Sequence, residues 1–411
     1  MYQAKLSILS KRTHHHKVRE LCNLQKGSVS DPFKIDLPFS TLRPYTFHTM
    51  FPNQRKFGAE IANVFLNPTI FSVLAMALTQ SGKTGSMLAV IEAMKASKVR
   101  VDHVFIITGL SSVDWMVQTR ARFPPKYHDC IFHRNQLPRF VKKVKSLKHV
   151  LIIIDENQVA FKPDQSIHHA FQQAEIMRLH DLMRKQVRIV HFTATPTNTL
   201  DFLSHDFSDI VLMKPEPSYT SAFDLLDQNR ILEYKDLCGL LDHDYSSVSW
   251  QDPDTWLPTD PQVFQHLDEI RRFLHEPKYH IIRTSYSFRH DVTISNFIKA
   301  FPDATMISDI DDLDTLLASP PNKHTFLFIK EKLRCAKTLH KTHLGVLYER
   351  ITKHPKMDTI LQGLVGRLTG YQPSSAVVFS NPQLVQDYRT QWFQLFVKFK
   401  RIPTIFIGTS F

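Results

Sequence analysis

Ile70-Phe71-Ser72-Val73-Leu74-Ala75-Met76-Ala77 runs directly into Leu78-Thr79-Gln80-Ser81-Gly82-Lys83-Thr84-Gly85, and a helical run follows over Met87–Met94. The unbroken apolar stretch reads as a strand buried on both faces. A short loop of small and polar residues leads from it into the helix, and that sequence of elements makes a phosphate cradle. Loop N–H groups and the helix N-terminus surround an anion. Ser81, Gly82 and Gly85 supply the loop. Lys83 is placed to reach the β- and γ-phosphates of a nucleoside triphosphate, and Thr84 to hold Mg²⁺. Ala77 stands at the first glycine position of the strict phosphate-loop pattern.

Downstream, Val150-Leu151-Ile152-Ile153-Ile154 ends in Asp155-Glu156. Carboxylates at the carboxyl edge of a parallel sheet face the crevice where ligands bind. Asp155 is the candidate to hold Mg²⁺, largely through water, and Glu156 to position and deprotonate an attacking water. The bland alternative is a pair of acids that merely ends a strand. His191-Phe192-Thr193-Ala194-Thr195-Pro196 closes another strand, where the hydroxyls of Thr193 and Thr195 are placed to relay the nucleotide state.

Outward from these motifs, short apolar runs alternate with amphipathic stretches. Strands are expected at Ile70–Ala77, Val104–Thr108, Val150–Ile154 and Ile189–Thr193, after a helix over Phe51–Phe65 that Asn67-Pro68 closes. A second alternation places strands at Tyr279–Thr284, Ala304–Ile307, Phe326–Ile329, Gly345–Tyr348 and Ala376–Phe379. Between them, Pro215, Pro217, Pro253, Pro258 and Pro261 punctuate a polar segment that carries a helix over Ser221–Leu232. The expected organisation is a basic extension over 1–45, an α/β unit over 46–213, a connector over 214–275 and a second α/β unit over 276–411. Each unit is built on a mainly parallel sheet flanked by helices.

In this order the motifs resemble those of the superfamily 2 helicases and translocases. Gln80–Thr84 looks like motif I, Asp155-Glu156-Asn157-Gln158 like motif II and Thr193-Ala194-Thr195 like motif III. Lys332-Leu333-Arg334-Cys335-Ala336-Lys337-Thr338 is similar to motif V, and Gln362-Gly363-Leu364-Val365-Gly366-Arg367 to motif VI. Asn53-Gln54 is similar to the glutamine motif that reads adenine. The resemblance covers roughly residues 46 to 385. It implies two tandem RecA-like domains with Mg-ATP in the cleft and a single strand lying across both. It further implies Arg367 as arginine finger, with Arg334 in reserve, and Gln362 beside the nucleotide. Gln158 replaces the usual fourth residue of motif II, and Gly370 stands where motif VI ends in arginine. The segment Gly363–Tyr371 looks similar to those of compact helicases from large DNA viruses and phages.

Strand contacts are expected at Gly109, Ser111, Ser112 and Gln118, which resemble motif Ia, and at Thr284-Ser285-Tyr286, which resembles motif IV. Groups of this kind hold phosphates without reading bases. Val141–Lys148 is a basic run, either phosphate-attracting or an exposed helix face.

Composition agrees with this reading. Of 411 residues, 43% are apolar and 22% charged, as in ordinary globular chains, and the net charge of +12 suits a polyanion such as nucleic acid. The expected partner is nucleic acid, DNA before RNA. Cys22, Cys130, Cys238 and Cys335 form no C-x-x-C pair, which speaks against a zinc ribbon or a disulfide scaffold. His14-His15-His16 reads as a solvated run rather than a metal site. No apolar run is long enough to cross a bilayer, and the basic first 20 residues lack the apolar core of a secretory signal. A soluble protein of the cytoplasm or nucleus, or of a virus, is expected, with partner proteins supplying any site specificity. The rival reading is a nucleic-acid-binding scaffold or motor subunit with weak or lost unwinding activity.

Overall fold

The computed structural model describes residues 50–111, 113–156, 165–195, 208–239, 261–285, 288–308, 310, 312–330 and 338–398. The basic extension therefore lies outside the described residues, as do most of the motif V segment with Arg334, and Ser112, Asn157, Gln158 and Tyr286.

Strand β1 (Ser72–Met76) is buried at every position, and helix α1 (Pro52–Val64) precedes it. The first half continues with α2 (Lys83–Ala96), β2 (His103–Thr108), α3 (Val113–Arg122), β3 (Ile131–Phe132), α4 (Leu137–Val144) and β4 (Val150–Asp155). It closes with α5 (Ser166–Gln173), α6 (Leu179–Lys185), β5 (Val187–Thr193) and β6 (Ser208–Leu212). These strands make a six-stranded sheet in the order β3-β2-β4-β5-β1-β6, with every pairing parallel.

The second half begins with α7 (Ala222–Asp227), β7 (Ile231–Glu233), α8 (Pro261–Arg271), β8 (Tyr279–Thr284) and α9 (Phe288–Ala300). It continues with β9 (Thr305–Ser308), α10 (Leu313–Leu317), β10 (Thr325–Lys330), β11 (Leu344–Tyr348), α11 (Met357–Gln362), α12 (Leu364–Leu368), β12 (Val377–Ser380) and α13 (Pro382–Lys398). Its parallel sheet runs β7-β12-β11-β8-β10-β9.

The pleat sends alternate side chains to opposite faces. Along β4, Leu151 and Ile153 join one buried cluster with helices α1 and α2, whereas Ile152 and Ile154 join another with α4 and α5. A third cluster combines Leu74, Met76 and Ile210 of the first sheet with Ile281, Leu347 and Leu361 of the second half. One apolar core thus bridges the two halves and fixes the cleft between them. Helix α1 approaches α2 closely: a Cβ on Gly58 would sit 2.6 Å from the Ala89 carbonyl.

The expected strands are present with ends shifted by a residue or two, and the fold is the expected one of two parallel α/β sheets. The sequence reading had no strands at β3, β6 and β7. The helix expected over Ser221–Leu232 stops at Asp227. A left-handed Asn229 (φ 53°) then turns the chain into β7, which pairs with β12. No helix among the described residues is long and apolar enough to cross a membrane.

Candidate active site

The loop after β1 turns twice through left-handed backbone, at Gln80 (φ 58°) and at Gly82 (φ 102°), the residue that caps α2. Gly82 has a steric reason as well as a conformational one, since a Cβ there would meet Nε2 of Gln54 at 2.6 Å. Gln54 is only 1% exposed. Its Oε1 accepts from the Phe51 backbone N–H at 3.0 Å, and its Nε2 donates to the Gly82 carbonyl at 3.1 Å. In this arrangement Gln54 braces the phosphate loop from α1, with both ends of its amide engaged. Ser81 is buried, its hydroxyl donating to the Leu78 carbonyl at 2.7 Å.

Lys83, at the first turn of α2, lies 3.4 Å from Oε1 of Glu156, which follows β4. Glu156 adopts a left-handed φ of 53°, a conformation uncommon outside glycine and asparagine that concentrates at functional sites. Its backbone N–H donates to Oδ1 of Asp155 at 3.1 Å, and the indole N–H of Trp115 donates to Oδ2 at 2.7 Å. Burial, then the charge of Glu156, pushes the Asp155 carboxyl up to about 6, against the opposing pull of Lys83 and Trp115. Arg122 donates to the Thr84 hydroxyl at 3.4 Å. Helix α3 therefore touches both residues expected to face Mg²⁺. Thr84 and Asp155 are oxygen donors, as that hard cation requires. The donor set fits.

The second half completes the cleft. Gln362, the last residue of α11, donates Nε2 to Oε2 of Glu156 at 2.8 Å and approaches the Thr195 hydroxyl at 3.5 Å. Arg367 is 2% exposed, and its Nη2 donates to the Gln362 carbonyl at 3.2 Å. Thr193 and Thr195 form a local turn: the Thr193 hydroxyl donates to the Thr195 carbonyl at 2.8 Å and accepts from its N–H at 3.0 Å. Lys83, Asp155, Glu156, Thr195, Gln362 and Arg367 are thus brought together from motifs nearly 300 residues apart in the chain.

Four hydroxyls beyond the first sheet, one in the connector and three in the second half, hold the first half, and sequence reasoning missed them. Tyr219 donates to the Thr79 carbonyl at 2.6 Å and Thr369 to the same oxygen at 2.8 Å. Tyr371 donates to the Ser81 carbonyl at 3.2 Å and Tyr388 to the Ala194 carbonyl at 2.6 Å. The Tyr371 ring also stacks on Phe51, with centroids 6.4 Å apart. Trp115 was missed too: a tryptophan within a helix reads as core, and only its distance to Asp155 marks it out.

The expected strand contacts divide. Ser111 is exposed and Gln118 and Ser285 partly so, but Gly109 and Thr284 are buried. The Thr284 hydroxyl is spent inward, on Nδ1 of His290 at 2.7 Å.

No protein-family model matches the chain, and no curated protein matches it in sequence. Among solved structures it is similar to the ATP-dependent Type ISP restriction-modification enzyme LlaBIII bound to DNA, at 13% identity and a TM-score of 0.54. The match covers 86% of this chain and 30% of that one, so the chain spans under a third of that enzyme's length. S. cerevisiae Dbp5 bound to RNA and ADP BeF3 matches at 11% identity and a TM-score of 0.45, over 86% of this chain and 93% of that one. The Sulfolobus solfataricus SWI2/SNF2 ATPase core in complex with dsDNA matches at 14% identity and 0.34, over 82% and 89%. The likeness is one of architecture alone: two parallel α/β sheets in tandem, the tandem RecA-like fold.

Proposed function

We propose that the chain is a nucleic-acid-stimulated ATPase of the helicase or translocase type. It hydrolyses Mg-ATP between a first motor domain of residues 46–213 and a second of 276–411, joined by 214–275. The observation that carries this reading is the composite contact at Glu156, which meets Lys83 at 3.4 Å from its own half and Gln362 at 2.8 Å from the other. A carboxylate shared in this way is active only when the halves are closed, which is how hydrolysis becomes coupled to movement.

In this reading the loop from Ser81 to Gly85 cradles the phosphates. Lys83 neutralises them, and Glu156 takes a proton from the attacking water. Thr84 and Asp155 hold Mg²⁺, which when bound offsets charge on the phosphate oxygens. Gln362 orients Glu156 and Arg367 supports Gln362 from behind. Arg367 is also the candidate finger, with Arg334 in reserve. Thr193 and Thr195 report the cleft's state, through Gln362 and through Tyr388 at Ala194. Ser111, exposed, with Gln118 and Ser285, partly exposed, are the accessible members of a strand-binding set that also includes Gly109, Thr284 and, as a weaker candidate, Arg334. Nucleic acid is the partner, in keeping with the net charge of +12, and DNA is proposed before RNA.

The second reading, a nucleic-acid-binding scaffold with a decayed ATPase, is favoured by Gly370, which stands where motif VI would end in arginine. Steady-state ATP hydrolysis separates the two. Wild type and Lys83→Ala are assayed alone and with single-stranded DNA, double-stranded DNA or RNA. Stimulation by one polymer, abolished in Lys83→Ala, supports the motor. Folded protein that binds nucleic acid but never hydrolyses ATP supports the scaffold.

A further inference from the structure

The first half carries a charged flank that the cleft does not use. Between Asp129 and Asp155 the sequence holds Arg134, Arg139, Lys142, Lys143, Lys145 and Lys148 and no carboxylate at all. Helix α4 explains why they share a side. Leu137, Phe140 and Val144 turn into the core, which leaves Arg139, Lys142 and Lys143 exposed, with Arg134 before them and Lys145 and Lys148 after. The acids facing this flank are Asp129 and Glu175. Glu175 pairs with Lys145 at 3.5 Å, and Lys143 donates to the backbone carbonyl of Asp129 at 3.1 Å. Arg134, Arg139, Lys142 and Lys148 form no ion pair among the described residues.

The flank is anchored to the expected strand-binding loop, because the Arg134 N–H donates to the Leu110 carbonyl at 2.9 Å, beside Gly109 and Ser111. From there α4 carries cations along the outer side of the sheet, next to the edge strand β3. An eight-residue helix is about 12 Å long, which faces about three to four base pairs at 3.4 Å each. The flank presents cations but no exposed aromatic ring, since Phe132 and Phe140 are buried beneath it. Single strands are held by a cationic groove together with aromatic side chains on which the unpaired bases stack. A cationic surface without those side chains suits phosphates whose bases are already paired.

We infer that the α4 flank is a docking surface for the backbone of a nucleic-acid duplex, continuing the track from the loop at Gly109–Ser111. The inference rests on the motor reading for the track itself. It adds a second, sequence-independent contact that holds the duplex beside the strand under translocation.

The test is the salt dependence of binding to a 30-base-pair duplex and to a short single strand, each as DNA and as RNA. Wild type is compared with R139Q/K142Q/K148Q, which spares Lys143 and Lys145. The slope of log affinity against log salt for the duplex is expected to fall by about 2.7, at about 0.9 per phosphate contact. Raising salt from 50 to 200 mM then costs the variant roughly 40-fold less affinity than wild type. The single-strand slope is expected to stay, R139K/K142R/K148R to retain the wild-type duplex slope, and thermal midpoints to agree. A duplex slope unchanged in the triple glutamine variant overturns the inference and leaves the motor reading standing. An equal loss for duplex and single strand also overturns it, since the flank is then a general anion surface. If an acidic protein fragment competes for the flank while duplex does not, the occupant is a protein and the inference fails. Wild type that binds no nucleic acid at any salt sinks the motor reading along with it.

Discussion

The indole N–H of Trp115 donates to Oδ2 of Asp155 at 2.7 Å inside the first domain. A hydrogen bond to an ionised group is worth about 1.5–3 kcal/mol, and deleting one partner leaves a buried carboxylate oxygen unsatisfied. Trp115→Phe keeps one aromatic ring but loses the donor together with the extra bulk of the indole, in a site only 3% exposed. Urea unfolding is expected to show a loss of at least about 1.5 kcal/mol, the hydrogen bond and the lost packing together, with an unchanged m-value. An unchanged midpoint would mean that the bond adds nothing to stability.

The same carboxyl carries a pH dependence. Burial, then the charge of Glu156, raises the Asp155 carboxyl from its ordinary 3.8 to about 6. A carboxyl raised on folding favours the protonated folded state, so this contribution to stability is present below pH 3.8 and is lost as pH rises through about 6. Magnesium needs the carboxylate. Mg-dependent binding of a non-hydrolysable ATP analogue is therefore expected to weaken as pH falls through about 6. Trp115 pulls the carboxyl down, so Trp115→Phe moves this limb to higher pH. A profile that does not move with the substitution contradicts the assignment of Asp155.

Glu156 and Gln362 are separable by kinetics. Loss of a general base lowers kcat by about 10²–10⁴, and Glu156→Gln should do so with little change in ATP-analogue affinity. Gln362→Leu removes the donor at 2.8 Å from Oε2. If Gln362 orients the base, kcat falls by about 10²–10³ while the affinity stays, as for loss of one preorganised donor. An effect confined to KM would place Gln362 in binding instead.

Gly82 and Gln54 should be coupled. Gly82→Ala meets the left-handed penalty of about 1–2 kcal/mol, and its methyl meets Gln54 Nε2 at 2.6 Å. Gln54→Ala removes that clash and also the brace. Chemical denaturation of both single variants and the double is expected to give an interaction energy of about 0.5–3 kcal/mol. Simple additivity would show that the two residues do not share one site.

Much of this architecture was legible because buried parallel strands are unbroken apolar runs, as in Val150–Ile154, and because the loop chemistry lies at their carboxyl ends. The edges were not. Strand β7 is three residues long, in a proline-punctuated stretch, and becomes a strand only by pairing with β12. Its register is a tertiary fact. Gln54 was legible by position, but its use was not: that both ends of its amide face the protein follows from how α1 packs on α2. Tyr219, Tyr371 and Tyr388 carry no local signal, because a hydroxyl that seeks a backbone carbonyl over a hundred residues away leaves no pattern in the neighbouring sequence.

Those tyrosines, with Thr369, have an energetic meaning for the closed cleft. Four neutral hydrogen bonds of about 0.5–1.5 kcal/mol each amount to roughly 2–6 kcal/mol. Swinging a two-state equilibrium from one part in a hundred to ninety-nine requires about 5.5 kcal/mol of differential affinity. The clasp therefore adds, to the apolar core that bridges the halves, an increment on the scale of one bound ligand's leverage. Three of the four bonds end on the phosphate loop and the fourth on the Thr-Ala-Thr turn, so the segments that would sense the nucleotide are also the latch that it would release.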